Sequence, residues 1–146
     1  MKNFWLSLPA KLREASDGLG LLALRIWLAQ EFLHAGLMKL HHGRLAPEWF
    51  VNLSFPFPVR LLSEDQNWVA AGLGETVFGV LLLIGLQTRL ASLGLLFITW
   101  VAVYTVHFDL GFAGWDQIET DMGQGFKLPL MMACMLLATL TQGGGR

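Results

Sequence analysis

The residues that could carry chemistry in this chain lie inside an apolar stretch. Residues 19–40 read LGLLALRIWLAQEFLHAGLMKL. Five members of this stretch have polar or ionisable side chains: Arg25, Gln30, Glu31, His34 and Lys39. A charged side chain at the centre of a bilayer costs about 3 kcal/mol or more, so such groups usually belong to a functional site. The stretch therefore predicts a ligand-binding or proton-transfer site inside a membrane.

The positions of these residues around a helix predict which of them act together. At about 100° per residue, one stripe of the helix holds Trp27, Gln30, Glu31, His34 and Met38. Polar groups are expensive in hydrocarbon, so we expect this stripe to face the other helices or a wet cavity.

A second apolar stretch, residues 68–86, supplies a carboxyl group. Glu75 lies on the same helical face as Gly72 and Gly79, and small residues let two helices approach closely. We therefore expect Glu75 to meet Arg25, His34 or Lys39 of the first stretch. The alternative is that these charges are structural, with Arg25 and Lys39 extending towards opposite interfaces.

A metal site is a further hypothesis. His41, His42, His107 and Asp109 all fall on one predicted side of the membrane, and imidazole is a ligand of copper, zinc and iron. Their spacing matches no tight ligand motif. Cys134 is the single cysteine, so no intramolecular disulfide or CxxC redox pair is available. Its apolar surroundings predict a small buried side chain.

Composition indicates an integral membrane protein. The chain has 146 residues, of which 54% are hydrophobic and 14% charged, against about 25% charged in soluble domains. Mean hydropathy is +0.52. We predict an all-α fold, a four-helix transmembrane bundle with a short N-terminal interfacial helix, forming one domain over residues 1–146. The predicted spans are 19–40, 68–86, 90–106 and 126–141.

Charge sets the expected location and partners. The Lys and Arg residues of the flanks divide slightly in favour of both termini in the cytoplasm, which places residues 41–67 and 107–125 outside. The lipid bilayer is the expected partner. A net charge of −1 gives no indication of nucleic-acid binding. The sequence contains no phosphate loop, nucleophile elbow or zinc-protease motif, so we expect at most an oxidoreductase subunit.

The chain resembles the DoxX family of small four-helix membrane proteins. The resemblance rests on Arg25, Phe32, Gly36 and Lys39 in RIWLAQEFLHAGLMKL, on Glu75, and on Gly85 and Arg89 in GVLLLIGLQTRLASLGLL. Within that family the chain is most similar to the HvfX branch, because it contains the segments WLAQEFLHAGLMKL and FPFP and a final KLPL helix. The resemblance implies a bacterial inner-membrane protein linked to redox chemistry with quinones, or to maturation of copper-binding modified peptides. It implies no catalytic residues.

These observations lead to three hypotheses. The first is an accessory membrane protein of a redox or copper-peptide system, whose polar cavity at Glu31, His34 and Glu75 binds a quinone-like or small ligand or passes protons. The second is a non-enzymatic anchor or transporter that recruits soluble or membrane partners through its exterior loops. The third is a copper-handling protein that uses His41, His42, His107 and Met38.

Overall fold

The fold is a bundle of α-helices joined by two long structured segments. The computed structural model describes residues 2–144, and the side chains of residues 7–144. Its helices are α1 (Lys2–Ala15), α2 (Leu19–His42), α3 (Glu48–Val51), α4 (Glu64–Ile84), α5 (Thr88–Thr105) and α6 (Lys127–Gln142). The all-α prediction is confirmed, apart from a two-stranded hairpin, β1 (Glu119–Thr120) and β2 (Gly123–Gln124).

The helices pack as neighbours around one apolar core. Helix α2 lies against α4, α4 against α5, and α6 against both α5 and α2. The core consists of buried apolar side chains from all four helices: Leu28, Ala29, Phe32, Leu82, Ala91, Leu95 and Leu136. A buried hydrogen bond of 2.7 Å between the Ser92 and Thr139 hydroxyls links α5 to α6.

The two ends of the bundle differ in structure. At the end that we call the turn end, Gly85 follows α4 as its C-cap in a left-handed conformation (φ 77°), and Gln87 (φ 50°) is the N-cap of α5. At the opposite end, the loop end, residues 43–63 hold α3 and a 3₁₀ turn (Val59–Leu61). Residues 106–126 at the same end hold a 3₁₀ helix (Gly111–Asp116) and the hairpin. The sequence prediction treated both segments as loops.

Helix α4 begins four residues before the predicted boundary. Ser63 caps it by accepting a hydrogen bond from the Gln66 backbone N–H, and the Gln66 side chain accepts one from the Ser63 N–H. This capping box satisfies backbone donors that would otherwise lack partners. The polar first turn of α4 was therefore wrongly assigned to the preceding loop.

Two helices have the character of membrane spans. Within the described residues, α4 and α5 are long and apolar enough to cross a membrane. Helix α2 has 24 residues but carries Arg25, Glu31 and Lys39, and α6 has only 16 residues. Four crossings, like the interfacial placement of α1, therefore stay a prediction.

The prediction for Cys134 is wrong. Its side chain is exposed on α6 because Leu136 and Thr139 form the buried face of that helix.

Candidate functional site

An ion pair joins α2 and α4 inside the bundle. The Lys39 Nζ donates a hydrogen bond of 2.7 Å to the Glu75 Oε2. Glu75 is buried, with 7% of its surface exposed, and Lys39 is half-buried. Of the three partners that the sequence left open for Glu75, the structure selects Lys39.

Close helix packing brings this pair together. A Cβ added at Gly36 would lie 2.7 Å from the Thr76 backbone nitrogen and 2.8 Å from the Gly72 carbonyl oxygen. A Cβ at Gly72 would meet the Leu40 and Lys39 side chains at 3.1 Å. Glycine at both positions therefore lets the two backbones nearly touch, which places the Lys39 side chain within reach of Glu75.

Aromatic side chains cover the pair from the loop end. The Lys39 Nζ lies 6.0 Å from the Trp68 ring centroid, within the range of a cation–π contact. Trp68 is 4% exposed and makes edge-to-face contacts with His42, Trp49 and Phe50. This cluster separates the ion pair from the loop-end surface, since the buried Trp68 ring stands beside the ammonium group.

Arg25 occupies the other end of α2. Its Nη1 donates a hydrogen bond of 3.1 Å to the Gly144 carbonyl oxygen. The guanidinium also lies against Gly85, where a Cβ would approach Nη1 to 2.6 Å. A cation beside the carboxyl end of α4 is stabilised by the helix dipole. Arg25 thus connects α2 to the end of α4 and to the residues that follow α6, at the opposite end of α2 from Lys39.

The central polar stripe of α2 faces away from the bundle. Gln30 and His34 are exposed and Glu31 is half-buried, while Trp27 is 59% and Met38 58% exposed. The expectation that this stripe faces the other helices is wrong. Leu28, Ala29, Phe32 and Gly36 form the buried face of α2 instead. The side chains of Glu31, His34 and Glu75 therefore do not line one cavity, because His34 is exposed whereas Glu75 is buried between α4 and the other face of α2.

The four candidate metal ligands are not brought together. Among residues 2–144, no group of three or more His, Cys, Asp or Glu side chains could hold a metal ion. His41 and His42 are exposed at the end of α2. The Asp109 Oδ2 accepts a hydrogen bond of 2.9 Å from the Gln124 N–H, so this carboxylate holds the hairpin. His107 is half-buried, and burial lowers its pKa despite the nearby Asp109.

An aromatic groove opens beside α5 at the loop end, and the sequence prediction missed it. Its volume is about 840 Å³, within the range of about 300–1,000 Å³ typical of ligand pockets. One wall is α5 and the others come from residues 52–54 and 108–126. The lining residues are Asn52, Leu53, Ser54, Trp100, Val103, Tyr104, Thr105, Phe108, Phe112 and Phe126.

The groove combines flat aromatic walls with hydroxyl groups. The Trp100 and Tyr104 rings lie 6.2 Å apart, and the Phe108 ring packs against Phe112 at 5.3 Å and Phe126 at 6.0 Å. The four-residue spacing of Trp100, Tyr104 and Phe108 was the sequence signal for this aromatic face. Tyr104 and Ser54 are among its lining residues, so the groove offers aromatic faces on which a planar ring can stack and two hydroxyl-bearing side chains that can donate hydrogen bonds.

Comparison with known proteins identifies a family. The DoxX family model matches residues 20–108, the region that contains Arg25, Lys39, Glu75 and Arg89. The chain belongs to the DoxX family. It is also 37% identical over 138 residues to an uncharacterized protein of Haemophilus influenzae (strain Rd), covering 93% of this chain and 84% of that protein. No solved structure matches the chain significantly.

Membership of the DoxX family confirms the resemblance at the level of the family and identifies a membrane-associated protein. The matched region runs from the start of α2 to just beyond α5. It therefore includes the Lys39–Glu75 pair, Trp68 and the α5 wall of the groove. The wall formed by residues 108–126 falls partly outside it, since residues 112 and 126 lie beyond the match.

Proposed function

We propose that all four long helices cross the bacterial inner membrane, with both termini in the cytoplasm. Support comes from α2 lying antiparallel to α4 along its whole length: Arg25 meets Gly85, Leu33 meets Gly79 and Leu40 meets Gly72. If α4 spans the bilayer, α2 lies at the same depth. Helix α6 is similarly fixed to α5, and local thinning of the bilayer accommodates its shorter length. The loop end then faces the periplasm.

We further propose that this protein is an accessory subunit of a membrane redox system and holds a quinone-like ligand in the aromatic groove. The observation that carries this proposal is the groove itself, because a flat ring would stack on Trp100 and its oxygens would accept hydrogen bonds from Tyr104 and Ser54. A bound quinone would supply two-electron redox chemistry, which this chain's single cysteine does not provide. The ligand site of the first hypothesis is therefore placed in the groove beside α5 and no longer at the polar stripe of α2.

The redox system that we propose is the maturation of copper-binding modified peptides. Support comes from the HvfX-like segments WLAQEFLHAGLMKL, FPFP and KLPL. The FPFP segment follows directly after Ser54 at the groove, and KLPL begins α6 directly after Phe126. Two of the three HvfX-like segments therefore border the proposed ligand site.

Binding of decylubiquinone to the purified full chain tests the groove. We expect Trp100→Ala to weaken binding about tenfold, because a stacking wall is lost. Tyr104→Phe should weaken it about fivefold, because one hydrogen bond is lost. Equilibrium dialysis in detergent measures both dissociation constants. Leu93→Ala is the matched control, since Leu93 is 55% exposed on the same helix and lies outside the groove lining. An unchanged dissociation constant in Trp100→Ala and Tyr104→Phe would refute this ligand site.

A second candidate function is recruitment of a partner protein by residues 106–126. The observation that favours it is the apolar tip of this segment: Phe112 and Met122 are each 85% exposed, and Trp115 is 60% exposed. The Asp109–Gln124 hydrogen bond and the hairpin hold the tip in a defined shape. Apolar side chains presented on a rigid segment are typical of interaction sites.

The depth of Trp115 in the membrane tests this second function. Brominated lipids quench the fluorescence of tryptophans that lie in the bilayer. If the tip stands in water to meet a partner, the quenched part of the fluorescence should be the same in Trp115→Phe as in the unmodified protein. Trp100→Phe is the positive control, because Trp100 is 46% exposed on the spanning helix α5 and its removal should reduce the quenched signal. A reduction by Trp115→Phe of similar size would show that the tip is a membrane anchor, as aromatic side chains at interfaces often are.

A further inference from the structure

The exposed face of α2 has the spacing of a helix–helix seam. Residues that alternate at intervals of four and three are all exposed along it, and we call them the α2 seam: Ala23, Trp27, Gln30, His34, Leu37 and His41. The pattern repeats every seven residues, which is the repeat of a left-handed helix pair, the commonest packing of membrane helices. The seam runs for most of the helix and lies opposite the face that contacts α4.

Polar groups in the middle of this seam have no partner in the bundle. In the part of the chain that the structure describes, the side chains of Gln30, Glu31 and His34 form no hydrogen bond or ion pair. The transmembrane placement of α2 proposed above would expose them to hydrocarbon. An amide, a carboxyl and an imidazole are each unfavourable there. Their presence indicates that this face is covered by something that forms hydrogen bonds.

We propose that the α2 seam binds the same seam of a second copy of this chain, in a parallel dimer about a two-fold axis. In such an isologous contact every seam residue meets its own equivalent near the axis. A glutamine amide has both donors and an acceptor, so Gln30 can pair with Gln30 of the second copy. Glu31, which borders the seam, offers its carboxylate to the imidazole N–H of His34 in the second copy, and the reverse contact forms by symmetry.

The flanking residues of the seam suit this arrangement. Ala23 is small enough to let two helices converge near the turn end. Trp27 and Leu37 supply apolar contact on either side of the polar layers, and both are more than half exposed in the single chain, at 59% and 54%. Polar layers within an otherwise apolar seam fix register and oligomeric state. The inference needs α2 in the bilayer but is independent of any ligand in the groove.

Disulfide cross-linking of the full chain tests this dimer. In a Cys134→Ala background, Leu37→Cys should form a disulfide-linked dimer when membranes are oxidised. Leu93→Cys is the matched control, because Leu93 is exposed to the same extent (55%) but lies on α5, and it should stay monomeric. Adding Gln30→Leu and His34→Leu should reduce the cross-linked fraction of Leu37→Cys about tenfold, since interhelical hydrogen bonds are lost.

Each alternative outcome is decisive. Equal cross-linking at Leu37→Cys and Leu93→Cys, or a cross-link that survives the double Leu substitution, would overturn the seam. So would a monomer throughout, which would leave the face to a helix of another protein. A membrane-impermeant maleimide separates failure of the dimer from failure of the topology. Protection of Leu37→Cys without a cross-link overturns the dimer alone, whereas labelling of Leu37→Cys in intact membranes overturns the transmembrane placement of α2 on which the dimer rests.

Discussion

The Glu75→Gln variant is expected to lose about 3–5 kcal/mol of unfolding free energy, because the Lys39 ammonium would be left without its carboxylate inside the bundle. The loss should appear as a lower midpoint when helicity is followed by circular dichroism during unfolding in detergent. Glu64→Gln is the control. Glu64 is an exposed carboxyl in the first turn of the same helix, and its substitution should change stability by about 0.5 kcal/mol or less.

A double substitution tells a structural ion pair from a functional one. Replacing both partners together, as Lys39→Met with Glu75→Leu, removes both charges and should recover most of the lost stability. If the pair is only structural, the recovered protein should also bind decylubiquinone normally. A stable double variant that no longer binds would give the pair a functional role. A Glu75→Gln variant as stable as the unmodified protein would contradict the idea that Lys39 depends on this partner.

The second large effect is expected at Gly36. Gly36→Ala should destabilise the bundle by about 1–3 kcal/mol, the usual range for overpacking, because the new methyl group would press on backbone atoms of Thr76 and Gly72. Backbone cannot rotate away as a side chain can, so α2 and α4 must separate. Separation would also stretch the Lys39–Glu75 contact. Thermal unfolding followed by circular dichroism measures the effect.

Gly20→Ala is the matched control for Gly36→Ala, since both glycines lie in α2. A Cβ at Gly20 would meet nothing within 4 Å, so this variant should be at least as stable as the unmodified protein because alanine favours helix by about 1 kcal/mol over glycine. Equal stability of the two variants would contradict the close packing of α2 on α4.

The helices were largely predictable because apolar length determines them. The predicted spans agree with α2, α5 and α6 within two residues at each end. The boundary of α4 was wrong because the Glu64 to Asn67 turn is polar, although the Ser63 and Gln66 capping box was a readable signal. Helix length follows from the local sequence, whereas the segments at the loop end depend on contacts between distant residues, such as Asp109 with Gln124.

The orientation of α2 was harder to predict. The polar residues of α2 were predicted to face the protein interior. The buried face is instead the one whose small side chains allow close packing. Ala29 and Gly36 lie seven residues apart on the buried face, and Gly72 and Gly79 repeat this spacing on α4. Small residues at this interval were the better guide, because backbones can approach only where side chains are small. The partner of Glu75 was narrowed to three residues, and the choice of Lys39 required the crossing of the two helices.

The Lys39–Glu75 pair also has a consequence for the order of biosynthesis. The two residues are 36 positions apart in the chain, so in the transmembrane arrangement proposed above α2 enters the bilayer before its counter-ion has been made. Lys39 lies three residues before the end of α2, where a long side chain can extend to the interface and keep its charge hydrated. Glu75 lies in the middle of α4 and has no such route. We therefore expect the insertion of α4 to bring the Lys39 ammonium into contact with Glu75, so that the first two long helices pair before α5 and α6 are added.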